Sequence, residues 1–154
     1  MSKVVNVGLK WTPDYPFEDW GCPELATRGA ACFDIRALIP ENNGKCQFTG
    51  RQIFRTGLMM QLPIGYGLFI FSRSGHGFKH GIRLANGVGV VDSDYRGEIC
   101  VALQNDAGIL FTVNHGDRIA QGAIIQIPDV RFTYKRVLSK TERGIGGYGS
   151  TGVV

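Results

Sequence analysis

Where the chain is regular, apolar and polar residues alternate with a period of two. Val130, Phe132 and Tyr134 alternate with Arg131, Thr133 and Lys135, which predicts a half-buried strand. Ile99, Val101 and Leu103 alternate with Glu98, Cys100, Ala102 and Gln104, and the spacing assigns Ile119, Ala123, Ile125 and Ile127 to one face of another strand. Apolar runs at 66–71, 88–91 and 109–113 predict strands buried on both faces. Turn formers separate these runs at Asn42-Asn43-Gly44, Pro63-Ile64-Gly65, 105–108, Asn114-His115-Gly116 and Pro128. No amphipathic helix of ten residues is predicted, although Ser74–His80 can make one short turn. Many short strands between regular turns predict an all-β barrel or sandwich.

A length of 154 residues suits one domain. Hydrophobic residues at 44% and charged residues at 19% exclude a disordered chain, and no apolar run is long enough to span a bilayer. The first residues lack an apolar core, which predicts no secretory signal and a cytoplasmic location (host cytoplasm or nucleus for a viral source). Glycine is the outlier, with 22 residues scattered without a triplet period. The net charge of +4 carries no run of like charges, which argues against nucleic-acid and membrane partners and leaves a mildly basic surface or an anion site. Cys22, Cys32, Cys46 and Cys100 form no Cys-x-x-Cys pair and lie far from the three histidines, so they read as buried or incidental thiols in a reducing compartment. Residues 10–23, with Trp11, Trp20 and three prolines, read as an irregular loop forming a surface contact.

Four other segments carry chemistry. The tail from Arg143 has five glycines in twelve residues and cannot hold regular structure unaided. Gly144, Gly146 and Gly149 satisfy a dinucleotide fingerprint, but no helix can follow in the five remaining residues. An arginine, amides opened by glycine and the Ser150 and Thr151 hydroxyls suit a phosphate chain, and Tyr148 offers a base a stacking face. Ser72-Arg73-Ser74-Gly75 follows a buried run and is either an oxyanion contact or a surface turn. Residues 86–98 read as a hairpin in which Asp92 is either a turn former or a general base. Residues 116–121, with Gln121, form a turn leading into a strand.

Taken in this order and spacing, the chain resembles the trimeric dUTP pyrophosphatase (dUTPase) family over residues 24–152. The motifs lie at 30–35, 63–75, 87–98, 116–121 and 143–152; Cys32 replaces a usual glycine and Tyr148 a usual phenylalanine. The resemblance implies a jelly-roll-like β-barrel at 1–142, a mobile glycine-rich arm at 143–154, and a homotrimer with shared active sites. It implies hydrolysis of dUTP to dUMP and pyrophosphate, which keeps uracil out of DNA and supplies dUMP. Asp92 would activate the water attacking the α-phosphorus. Arg73, Ser74, Gly75 and Gln121 would hold the phosphates, while Arg143, Gly149, Ser150 and Thr151 close over them and Tyr148 covers the base. Asn86, Gly89, Val90 and Val91 would read the uracil edge, and Tyr95 under the deoxyribose would exclude a 2′-hydroxyl. Mg²⁺ would be bound mainly through the triphosphate, with Asp34 reaching it only through water. A dCTP deaminase of the same fold would need a glutamate in the pocket to work on the base, and Asp92 to Tyr95 fits the pyrophosphatase pattern better. A regulatory protein partner is the reading from another functional class, since viral members of the family act through such contacts.

Overall fold

The computed structural model describes residues 4–147, and within them strands dominate. They are β1 (Gly8–Trp11), β2 (Phe33–Arg36), β3 (Lys45–Phe48), β4 (Arg51–Arg55), β5 (Leu58–Gln61), β6 (Tyr66–Phe71), β7 (Ile82–Leu84), β8 (Gly89–Val91), β9 (Cys100–Asn105), β10 (Phe111–Asn114) and β11 (Arg118–Gln126). Two short helices, α1 (Phe17–Trp20) and α2 (Ser74–His80), interrupt them. Antiparallel pairing builds a four-stranded sheet in the order β2-β11-β6-β8 and a three-stranded sheet in the order β4-β9-β7. Two further pairs, β1-β5 and β10-β3, flank them.

The sheets share one core, in which Ile35, Leu68, Ile70 and Ile119 of the first meet Phe54, Val101, Leu103, Ile82 and Leu84 of the second. The all-β architecture follows the alternation, because each strand supplies inward residues at every second position. A closed jelly-roll barrel does not form: the hydrogen-bonded ladders remain separate sheets, and β2 and β8 are left as edges of the largest.

Several local expectations are corrected. Residues 130–134 form no strand; Val130, Phe132 and Tyr134 are 64%, 95% and 90% exposed. Alternation specifies which residues share a face, but a ladder needs a partner, and no described strand pairs with this segment. Ile119 does not share a face with Ala123 and Ile125. A bulge sets two residues of β11 against one step of β2, so Ile119 and Ala120 are both buried and the parity inverts beyond them. The runs 88–91 and 109–113 are not buried on both faces, because Val88, Val90, Ile109 and Leu110 are exposed. The predicted hairpin at 86–98 is absent as well: β8 pairs with β6, whereas β9 pairs with β4 and β7. No cysteine is fully buried, and Cys22 and Cys100 are exposed. Ser74–His80 forms a seven-residue helix, with Lys79 and His80 suitably placed at its C-terminal end.

Residues 10–23 are also more ordered than a loop. Trp11 lies in β1 and stacks on Tyr15 at 5.1 Å, Tyr15 meets Trp20 edge-on, and Trp20 packs on His115 at 4.8 Å. His115 Nδ1 in turn accepts the Ile39 N–H at 3.0 Å. Aromatic burial thus ties this segment to the turn that carries His115.

Candidate active site

Residues from three sequence motifs converge at one end of the largest sheet. Gln121 stands opposite Asp34 on one side and Phe71 on the other, since β11 lies between β2 and β6. Asp34 Oδ1 pairs with Arg73 Nε at 3.1 Å and Oδ2 with Arg118 Nη1 at 3.0 Å. Arg73 Nη1 also donates to the Arg118 carbonyl, and the Gln121 amide donates to the Ser72 carbonyl at 3.0 Å. Ser72 Oγ accepts the Leu84 N–H, fixing the strand end from which Arg73 projects. Ser74 and Gly75 follow as the exposed first residues of α2. Two arginines sharing one carboxylate leave a net positive cluster suited to an oxyanion. Arg118 carries no role in the sequence reading; its signal was its place in the fourth motif, but only the pairing of β2 with β11 joins it to Asp34.

The third motif lies elsewhere. Val91 stands opposite Leu68, so Asp92 falls level with Gly67, whereas Arg73 follows the far end of the same strand. At a strand rise of ~3.3 Å per residue, the two are about 20 Å apart along β6. Asp92 is exposed and lines a cavity of about 320 Å³ with Val90, Val91, Tyr95, Glu98, Ile99 and Cys100. The Tyr95 N–H donates to the Asp92 carbonyl, closing the turn, and Tyr95 OH donates to the Glu98 carbonyl at 3.1 Å. Gly89 and Val90 run along β8 between the two ends, while Asn86 is exposed near the Ser72 end. Within one chain, therefore, Arg73, Gln121 and Asp34 come together, but Asp92 and Tyr95 do not join them.

Arg143 is exposed and, among the described residues, donates within its own turn, to Gly146 O at 3.1 Å. Tyr148, Gly149, Ser150 and Thr151 lie outside the described residues. His76, on α2 behind Arg73, has its imidazole pKa pushed below the usual value by burial first, then by Arg73 and His80. Partial desolvation, then the nearby Glu98 carboxylate, raises the Cys100 thiol at the rim of the Asp92 cavity, which keeps it protonated near neutrality.

Each Asp34 oxygen accepts from one guanidinium group, and the two arginines offset the carboxylate charge that would draw a metal ion directly. No group of three or more His, Cys, Asp or Glu suited to a metal occurs among the described residues. This donor set fits a cation delivered by a polyphosphate rather than one caged by side chains.

The dUTPase family profile matches residues 18–152. A deoxyuridine 5'-triphosphate nucleotidohydrolase of Treponema pallidum subsp. pallidum is 42% identical over 132 residues, covering 86% of this chain and 90% of that protein. Among solved structures, the Staphylococcus bacteriophage 80alpha dUTPase with dUPNHPP superposes with a TM-score of 0.81 at 21% identity, over 96% of this chain and 99% of that one. A mutant dUTPase from phage phi11 of S. aureus, described for its coordination of a structural Mg(II) ion, gives 0.70 at 17% identity, over 86% and 97%. The profile and the Treponema relative both span most of the sequence, and the chain belongs to the dUTPase family.

Proposed function

We propose that this chain hydrolyses dUTP to dUMP and pyrophosphate, with Asp92 taking the proton from the attacking water. The new bond joins the water oxygen to the α-phosphorus. The bond to the bridging oxygen breaks, and pyrophosphate leaves with that electron pair. The observation that carries the reading is the open cavity lined by both Asp92 and Tyr95, in a chain that matches the family throughout. A carboxylate in such a cavity is placed to accept a proton, and a ring beside it offers a sugar a flat apolar floor. The dUTP analogue in the phage 80alpha enzyme agrees with this substrate.

Arg73 and Gln121, with Ser74 and Gly75, hold the phosphates at the other end of β6. Because Asp92 is about 20 Å away along that strand, one substrate meets both groups only if they come from different chains. A homotrimer with closed symmetry supplies such sites. Val130, Phe132, Tyr134, Val137 and Leu138, exposed in one chain, supply apolar surface for the contact. Residues 1–142 then form the domain and 143–154 the arm, with Arg143, Tyr148, Gly149, Ser150 and Thr151 closing over substrate. Asn86, Gly89, Val90 and Val91 contact the uracil. Asp34 would reach a Mg²⁺ carried by the triphosphate through water, and that ion would offset part of the phosphate charge.

The deaminase alternative calls for a glutamate free to work on the base. The cavity does hold one, Glu98, but Oε1 accepts the Gly57 N–H at 2.8 Å and Oε2 is paired with Arg55 at 3.1 Å. Pyrophosphate release from dUTP, dCTP, dTTP and UTP tests the assignment, with dUTP expected to dominate. Asp92→Asn should retain substrate binding and lose turnover by about 10²–10⁴. Turnover within about threefold of the parent would remove Asp92 from its role.

A further inference from the structure

The segment around Asp14 lies before every catalytic motif in sequence, yet it is wired to the third. The Thr12 N–H donates to Gly57 O at 2.9 Å. Gly57 has a φ of +73°, and a Cβ there would come within 2.7 Å of Tyr15 Cδ2 and 3.1 Å of Thr12 Oγ1. Only glycine lets the two segments approach this closely. Two residues earlier, Arg55 forks onto Asp14, with Nη1 to Oδ2 at 2.7 Å and Nη2 to Oδ1 at 3.1 Å. The pair holds the Asp14 carboxyl down to about 2, chiefly through the Arg55 hydrogen bond, so it stays ionised throughout the neutral range.

The other edge of Arg55 reaches the cavity. Its Nε donates to Glu98 Oε2 at 3.1 Å, and the Gly57 N–H donates to Oε1 at 2.8 Å. Ile99 is fastened to the same strip, its N–H donating to Leu58 O at 2.8 Å and its carbonyl accepting from Thr56 Oγ1 at 2.6 Å. Residues 98–99 are thus held by four polar contacts from 55–58. Tyr95 hangs from this anchored backbone through its hydroxyl, at 3.1 Å from Glu98 O. Its ring end lies over Gly97, where a Cβ would strike the hydroxyl. Since Tyr95 is otherwise 46% exposed, the tether fixes where the ring stands.

We propose that Asp14, Arg55 and Glu98 form a relay that positions Tyr95, so that the N-terminal segment sets discrimination between deoxyribose and ribose. This rests on the reading of Tyr95 as the floor of the sugar site. The bidentate fork fixes the plane of Arg55, and the guanidinium fixes Glu98. Without Asp14, Arg55 keeps one partner and can swing, the Glu98 side chain is held less firmly, and the Tyr95 ring gains room to move away from a 2′-hydroxyl. Asp14, Arg55 and Glu98 are positioning residues, and their loss should act on selectivity more than on the chemical step.

The test measures kcat and KM for dUTP and UTP in the full-length protein. Asp14→Ala, Arg55→Met and Tyr95→Phe should each lower the dUTP preference in kcat/KM by about two- to tenfold, the value of one lost hydrogen bond. In Asp14→Ala and Arg55→Met the change should appear in KM for dUTP and in the UTP rate rather than in kcat for dUTP. Combining Arg55→Met with Tyr95→Phe should cost little more than either alone, because both break one path. Arg55→Lys should restore the charge without the fork and leave the preference low. An unchanged preference in Asp14→Ala, with only a lower melting temperature, would overturn the relay. If Arg55→Met fails to fold, the exposed Asp14→Ala and the near-isosteric Tyr95→Phe decide the question. Tyr95→Ala separates the two readings: a raised UTP rate there with no effect of Asp14→Ala overturns the relay alone, and an unchanged ratio in Tyr95→Ala overturns the sugar-floor reading and the relay together.

Discussion

Mixing two inactive variants should restore activity if each site is assembled between chains. Asp92 falls level with Gly67, and Arg73 follows Phe71 on the same strand. The separation of about 20 Å along β6 exceeds the reach of one triphosphate, and a rigid strand ladder cannot shorten it. Consider Asp92→Asn and Arg73→Gln, each expected to be nearly inactive alone, co-refolded in equal amounts. In a trimer whose sites take Asp92 and Arg73 from different subunits, each group is intact with a probability of one half. About a quarter of the sites should therefore carry both, giving about a quarter of the parent rate per site. If both groups act from one chain, every site lacks one of them and mixing restores nothing. Pyrophosphate release from mixed trimers, with differently tagged chains to confirm mixing, reads the result directly. A recovered rate near that of the separate variants would refute the shared-site reasoning and leave the roles of Asp92 and Arg73 to be tested individually.

Two further outcomes concern the core and His76. Leu103, fully buried between the sheets, should cost about 2–5 kcal/mol on Leu103→Ala, read by chemical denaturation. His76 has a folded-state pKa below its unfolded value of about 6.5, so the unfolded chain binds more protons and stability falls as pH drops through that value. His76→Leu should flatten this acid-side loss, and an unchanged slope of denaturation midpoint against pH between about 7 and 5 would show that burial of this imidazole is not its cause.

Local alternation was sufficient to identify β9, because Val101 and Leu103 both point into the core while Cys100 faces out. The family was legible in the order and spacing of the five motifs together, whereas a lone arginine, hydroxyl and glycine left an oxyanion contact and a surface turn equally open. The same period-2 pattern misled at Val130, Phe132 and Tyr134, where no described strand completes a ladder, and along β11, where one bulge reverses the parity of every later side chain. Neither a missing partner nor an inserted residue leaves a mark on hydrophobic periodicity. Asp14, Arg55 and Glu98 meet across 41 and 43 positions of chain, a proximity created by the pairing of β1 with β5 and of β4 with β9. Sequence by itself determined the alternation of the strands and the order of the motifs that mark the family. Tertiary structure decided which of them share an end of a strand, because hydrogen-bond register and long-range burial, not local spacing, set distances between segments.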